Sequence, residues 1–426
     1  MNILIIGGGG REHTFAWKLK QSSLCEALFI APGNAGTANC GTNLNIAVTD
    51  FEALKNAAIR YSVELIIVGP EEPLVKGIAD YFAADPETKH INLIGPSKEA
   101  ARLEGSKSFA KAFMKQYRIP TAAYTEFTID NYDEGVDYIK QHSLPVVLKA
   151  DGLAAGKGVL ICQSYIEALA EFELMIHHSK FGEAGKKVVV EEFLRGIEVS
   201  IFVLTDGKNY IMLPEAKDYK RIGEGDIGLN TGGMGAVSPL PFFDEALKEK
   251  IRCSIIEPTI AGFQQEKLDY KGFVFFGLMI NNGEPYMIEY NCRMGDPETE
   301  VVIPRLKNDL VAVFTAAGEG TLNEIVVETD LRAAATTVAV SGGYPGDFEK
   351  GKVISGLEAD PVEDSFVFHS GTLIKDGEVV TNGGRVLAVT ALGEDIKEAS
   401  EISLYMLEQL YFEDITYRRD IGYEFK

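Results

Sequence analysis

Glu289 and Asn291 stand two residues apart in the stretch "YMIEYNCRMGDPE". On a strand that spacing puts both side chains on one face, with Ile288 and Tyr290 on the other. A carboxylate beside an amide oxygen suits magnesium, which takes one or two protein carboxylates and fills its shell with water and phosphate. Arg293 and Asp296 follow in a Gly-Asp-Pro turn.

A second stretch, "KADGLAAGKGV" from Lys149 to Val159, looks like a nucleotide phosphate loop but departs from one. Gly152 and Gly156 are one residue too close, and Gly158 follows Lys157 where a hydroxyl is required. The flanks "PVVLKA" and "GVLIC" read as short buried strands, so the glycines tip a hairpin. Lys149 then points away from Leu148 and Ala150. A lysine in a buried strand is costly unless an anion meets it, and the loop glycines allow backbone amides to approach phosphates closely.

The turn Gly7-Gly8-Gly9-Gly10 opens a helix after the first strand, where free N–H groups attract anions. Gly7 and Gly9 fit a dinucleotide fingerprint, but Glu12 occupies the third glycine position and the second strand ends "APGNAG" without a carboxylate. A sugar phosphate suits this turn better than a nicotinamide cofactor. In "VVVEEFLRGIE" a strand ends at Glu191 and Glu192. The connecting segment beyond it can pair with an adenine edge, and Glu198 can accept from ribose hydroxyls. The six histidines form no H-E-x-x-H, and no G-x-S-x-G elbow occurs.

These stretches must be held by the surrounding elements. The 426 residues suggest about three domains. Over the first hundred, short apolar strands alternate with helices ("NILII", "REHTFAWKLKQ", "ALFIAPG", "FEALKNAAIRY", "ELIIVGP", "INLIG"), the pattern of a doubly wound parallel sheet. "PSKEAARLEGSKSFAKAFMKQY" reads as one long helix. From about residue 120 hairpins dominate, "GEGDIGLNTGGMGAVSP" reads as a polar loop, and strand-rich sequence returns near 330. A formal charge of −22 disfavours nucleic acid, whose backbone demands a basic surface. Five scattered cysteines without C-x-x-C spacing fit a reducing compartment. The start lacks a basic leader and no run reaches membrane-span length, so a cytoplasmic protein without a membrane partner is expected.

Taken in order, "GGREHTFAWK", "APGNAGTA", "VGPEEPLVKGIAD", "EGSKSFAK", "KADGLAAGKGV", "NTGGMGA", "NCRMGDPE" and "VTNGGRVL" resemble the phosphoribosylamine–glycine ligase family of ATP-grasp ligases. The resemblance implies a phosphoribosyl-substrate domain at 1–103, an ATP-grasp domain at 104–327 with a mobile lid lobe over about 120–195, and a strand-rich α+β domain at 328–426. It implies that Lys107 and Lys149 hold ATP phosphates under a loop including Gly156, Lys157 and Gly158. Glu191, Glu192, Phe193 and Leu194 would line adenine and Glu198 would meet ribose. Glu289 and Asn291 would bind one or two Mg2+ or Mn2+ ions. Gly9, Gly10, Arg11, Glu12, Pro32, Gly33 and Asn34 would face the phosphoribosyl group, and Asp296 would bind substrate. Asp218, Lys220, Arg221 and Arg293 would sit at the glycine and acyl-phosphate end. The implied reaction joins glycine to 5-phosphoribosylamine with ATP, in a monomer. Departures fall at Lys217, Tyr219, Leu229 and Met294, where the family carries Gln, His, Pro and Phe or Leu. Another ATP-grasp ligase, a dehydrogenase and a nucleotide-binding regulator are the rival readings.

Overall fold

A computed structural model describes residues 1–152, 158–178, 180, 182–358 and 362–426. Gly156 and Lys157 lie outside the described residues. The N-terminal strands form a parallel sheet in the order Thr42–Asn43, Ala27–Pro32, Asn2–Gly7, Leu65–Val68, Asn92–Ile94. Alternation along Asn2–Gly7 feeds two cores. Ile3 and Ile5 pack with Phe15 and Leu19 on one side, and Leu4 and Ile6 with Leu54 and Ile66 on the other. Strand order reverses between Asn2–Gly7 and Leu65–Val68, and open α/β sheets place ligands beyond the strand ends at such a point. The glycine turn and the Gly69-Pro70-Glu71 turn both leave the sheet there.

Two four-stranded sheets follow. One runs Tyr124–Thr128, Lys187–Glu192, Val146–Ala150, Val159–Cys162, all antiparallel. The other runs Tyr210–Met212, Ile197–Thr205, Gly272–Asn281, Glu284–Asn291. The last sheet takes Lys217–Asp218 and Gly235–Ser238 onto the C-terminal strands Ala333–Val340, Arg385–Gly393 and Ser365–His369. The helix Ile396–Leu407 covers it, with Ile396, Ala399 and Leu407 buried.

Three expectations are corrected. The long helix before residue 117 is two, Arg102–Gly105 and Lys107–Gln116, because Ser106 is extended and caps the second by accepting from the Phe109 N–H. The "polar loop" contains the hairpin Arg221–Gly223 with Ile227–Asn230, and its "GAVS" is the buried strand Gly235–Ser238. Ile288 does not face away from Glu289. A register shift between Gly277 and Leu278 leaves it unpaired as a bulge, so Ile288 joins Glu289 and Asn291 along the cleft while Met287 and Tyr290 enter the core.

Candidate active site

One cleft gathers residues far apart in the chain. Along Val146–Ala150 the residues Val146, Leu148 and Ala150 enter a core, which turns Lys149 to the cleft. On the neighbouring strand Val188 and Val190 do the same and turn Glu191. Lys149 Nζ lies 2.9 Å from Glu191 Oε2, and Lys111 Nζ approaches the same oxygen at 3.2 Å. All three side chains are buried. Burial pulls the Lys111 amine down to about 8, against the pull of Glu191. Glu191 Oε1 is buried without a hydrogen-bond partner. Two buried cations on one carboxylate leave a local positive excess, and a free acceptor beside it.

Lys107 opens the helix Lys107–Gln116. Its N–H donates to the Asp151 carbonyl at 2.9 Å, while the Asp151 carboxylate accepts from the Ser108 N–H at 2.7 Å. The base of the glycine-rich hairpin is thereby clasped to a helix N-terminus, a natural anion site. Lys107 Nζ reaches the Gly152 carbonyl at 3.4 Å. Burial lowers its pKa, offset by Glu289. Gly158 lines the cleft.

The Glu289 carboxylate has no hydrogen-bond or ion-pair partner among the described residues. Asn291 Oδ1 accepts from Arg293 Nη2 at 3.3 Å. No three His, Cys, Asp or Glu side chains cluster as a metal cage among the described residues. A single carboxylate and an amide oxygen beside three lysines fit an ion whose shell is completed by phosphate and water. Arg293 also reaches Glu104 at 3.1 Å and Glu71 at 3.3 Å. Burial raises the Glu104 carboxyl, with Arg293 opposing. Arg293 and Arg11 hold Glu71 below the usual range despite its burial.

Outside the cleft lining, Lys220 Nζ pairs with Glu198 Oε2 at 2.6 Å and stands 3.9 Å from Asp218. Burial raises Asp218, with Lys220 opposing. Against burial, Asp218, Glu198 and Glu289 carry Lys220 well above the ordinary lysine value. Glu298 is pushed up to about 7 by burial and Asp218, and accepts from Ser200 Oγ at 3.1 Å.

The glycine turn is tied differently. Gly9 N–H donates to Glu12 Oε2 at 2.6 Å, and Arg11 Nε to Glu12 Oε1 at 2.7 Å. Arg11 Nη1 donates to the Met294 carbonyl. Asp296 pairs with Arg385 at 3.1 Å. The Gly33 carbonyl packs so close to Gly8 that a Cβ there would overlap it. Asn34 bridges this turn to the C-terminal region. Its amide donates to the Gly8 and His369 carbonyls at 3.0 and 2.7 Å and its oxygen accepts from the Gly36 and Thr37 N–H groups. Pro32 ends the strand beside it.

Other candidates stand apart. Glu192 and Phe193 line a separate groove with Tyr138 and His142. Leu194 is half-buried in the link before Ile197–Thr205. Arg221 donates to Gly228 within its own hairpin. Sequence reasoning missed Glu71, Glu104, Lys111, Asp151 and Arg385. Lys111 had a signal, since Lys107 and Lys111 are four apart on a helix and share a face.

Residues 1–104, 105–299 and 334–424 match, respectively, the N domain, the ATP-grasp (A) domain and the C domain of phosphoribosylglycinamide synthetase. The phosphoribosylamine–glycine ligase of Haemophilus influenzae is 48% identical across 99% of this chain and 98% of its own length. That of Escherichia coli K12 is 46% identical with the same coverage. The crystal structure of the Thermotoga maritima phosphoribosylamine–glycine ligase superposes with a TM-score of 0.86 at 37% identity, covering 99% of this chain and 100% of that one. Campylobacter jejuni biotin carboxylase shares the fold at a TM-score of 0.73 and 16% identity, over 98% and 93%. With family models matching 1–104, 105–299 and 334–424 and relatives 46–48% identical over 99% of its length, this chain belongs to the phosphoribosylglycinamide synthetase family.

Proposed function

We propose that the protein ligates glycine to 5-phosphoribosylamine, converting ATP to ADP and phosphate and yielding glycinamide ribonucleotide for purine synthesis. The observation that carries this reading is the cleft in which Lys107, Lys111, Lys149 and Glu191 adjoin Glu289 and Asn291. A carboxylate is a poor acyl donor, so the glycine carboxylate first takes the terminal phosphoryl group of ATP. Phosphoryl transfer calls for positioning and charge neutralisation rather than covalent help. Lys107 and Lys149 hold the phosphates, and water must be kept from the glycyl phosphate. The unpartnered Glu191 Oε1 suits the adenine amino group, with the backbone of 191–194, rather than the Glu192 and Phe193 side chains, along its edge. Glu289 and Asn291 would hold a magnesium or manganese ion, which when bound offsets phosphate charge. Asp218, Lys220 and Arg293 orient the glycine end. The amine of phosphoribosylamine, held from the glycine turn and Asp296, then attacks the acyl carbon. The C–N bond forms as the C–O bond to phosphate breaks, and the amine sheds a proton.

The division at 103/104 and 327/328, the lid over about 120–195, a monomer and a cytoplasmic setting complete the proposal. No helix among the described residues is long and apolar enough to cross a membrane. Glycine labelled with ¹⁸O in its carboxylate should pass one label to inorganic phosphate, with steady turnover dependent on the amine. Label in AMP, with pyrophosphate released, would overturn the mechanism. Glu289→Gln should keep the fold and lose roughly 10²–10³-fold in metal-dependent turnover. Near-normal turnover would remove Glu289 from the metal face.

A further inference from the structure

The segment Lys217 to Lys220 runs extended against Gly235–Ser238. Lys217 pairs with Val237 and Asp218 with Ala236, and Tyr219 continues the ladder through its N–H to Gly235 and its carbonyl from Met234. Side chains on such a ladder alternate. Asp218 and Lys220 lie on the side of Glu198, where Lys220 also feels the charge of Glu289 in the cleft wall. Lys217 and Tyr219 therefore face the opposite side, and there they meet the C-terminal tail.

The contacts converge on Glu424. Lys217 Nζ lies 2.6 Å from Glu424 Oε1, and the Tyr219 hydroxyl donates to Glu424 Oε2 at 2.7 Å. One carboxylate thus bridges two side chains that flank Asp218. Lys217 Nζ also stands 3.8 Å from the centre of the Tyr219 ring, so ammonium, ring and carboxylate form one unit. Lys217 and Tyr219 are 9% and 1% exposed, which removes this pair from the weak class of fully solvated ion pairs. The tail is itself fixed. Ile421 is buried in the main core, its carbonyl accepts from Ser400 Oγ, and Phe425 packs against Phe242. A second grip lies upstream. The buried Arg418 guanidinium binds Asp226 at 2.6 Å and Asp420 at 2.8 Å, and donates to the Arg221 carbonyl at 3.2 Å, holding the hairpin that follows Lys220.

We infer that Glu424 is a positioning residue for the glycine end of the site. Through Lys217 and Tyr219 it sets the strand that presents Asp218 and Lys220, while Arg418 fixes the hairpin beyond. The Lys217 and Tyr219 departures become one coupled feature: each contributes a donor to the same tail carboxylate. This inference rests on the placement of glycine at Asp218 and Lys220 proposed above.

The test is steady-state kinetics with each substrate varied in turn, alongside thermal melting. Glu424→Gln keeps the shape, weakens the pull on Lys217 and should raise KM for glycine roughly tenfold, the scale of one weakened charged hydrogen bond. KM for ATP and the melting temperature should stay near the parent values. Glu424→Asp should recover part of the loss. The exchange Lys217→Glu with Glu424→Lys should recover glycine affinity relative to Lys217→Glu alone, since a restored pair reorders the strand. If Glu424→Gln leaves KM for glycine unchanged, or shifts all substrates in parallel with stability, the tail is structural and the inference falls. Asp218→Asn separates the two layers. If it impairs glycine use while Glu424→Gln is silent, only the positioning role fails. If Asp218→Asn also leaves glycine use intact, the placement of glycine is at fault.

Discussion

The glycine turn and the nucleotide cleft both gather charged groups from distant parts of the chain, but they finish differently. At the turn, acids and donors satisfy one another. Glu12 takes the Gly9 N–H and Arg11, Asp296 takes Arg385, and the Asn34 side chain makes hydrogen bonds to five backbone groups. In the cleft the pairing stops short: Glu191 keeps a bare oxygen and Glu289 has no partner among the described residues. A helix N-terminus ordinarily offers free donors to an anion. Here Glu12 already accepts from one of them, and a ligand phosphate must bind beside it or displace it. A glycine-rich motif can thus mark a joint between domains as much as a seat for a ligand, while an unpartnered polar atom in the cleft, as at Glu191 Oε1, marks the chemistry more directly.

Lys149→Met breaks the cleft side and carries the largest expected effect. It removes a phosphate-facing cation yet keeps an aliphatic stem in the buried strand. Turnover should fall roughly 10²–10³-fold, the loss typical of an electrostatic stabiliser. Melting temperature should change little, because Lys111 still pairs with Glu191. A large loss of stability with unimpaired turnover of the folded fraction would make the Lys149–Glu191 pair scaffolding, like the turn.

Asn34→Ala breaks the other side. Gly8, Gly9, Gly36, Thr37 and His369 each lose a partner for a backbone group, and each buried group left bare costs about 1–3 kcal/mol. Relaxation and water recover part of that, so about 2–4 kcal/mol of unfolding free energy should be lost. Denaturant unfolding measures it. Unchanged stability with a raised KM for phosphoribosylamine would instead make Asn34 a ligand group.

The contrast explains what the sequence could carry. The parallel sheet was legible because its strands are short apolar runs between helices, and Lys149 because a cation interrupts one such run. The Ile288 bulge was not, since it comes from a register slip against Gly277 on a separate strand. Nor was the docking of Gly235–Ser238 onto Ala333–Val340, which joins segments about a hundred residues apart with small and apolar side chains that signal no partner. Glu71 and Glu104 look like ordinary helical carboxylates until Arg293 is placed between them. Pairing across the fold is what makes a charged residue part of a site, and local spacing does not report it.

Glu300 sharpens the comparison by violating it on the turn side. It is wholly buried, neither carboxyl oxygen has a hydrogen-bond partner, and a Cβ on Gly10 would overlap it. Burial first, and Asp296 second, raise its pKa well above the ordinary value, with Arg385 opposing. The sign follows from linkage. An acid with a raised folded pKa binds more protons folded than unfolded, so its unfavourable contribution grows as pH rises above the unfolded value of about 4.3. Glu300→Gln removes that contribution without changing the shape. The variant should match the parent near pH 4 and exceed it in stability at pH 8 by about 1 kcal/mol, the low end for an unsatisfied buried group. Melting curves across that range measure the gap, which should widen with pH. A gap that is constant, or that favours the parent at pH 8, would mean that Arg11 and Arg385 stabilise Glu300 as an anion, and the turn would then have no unmatched charge at all.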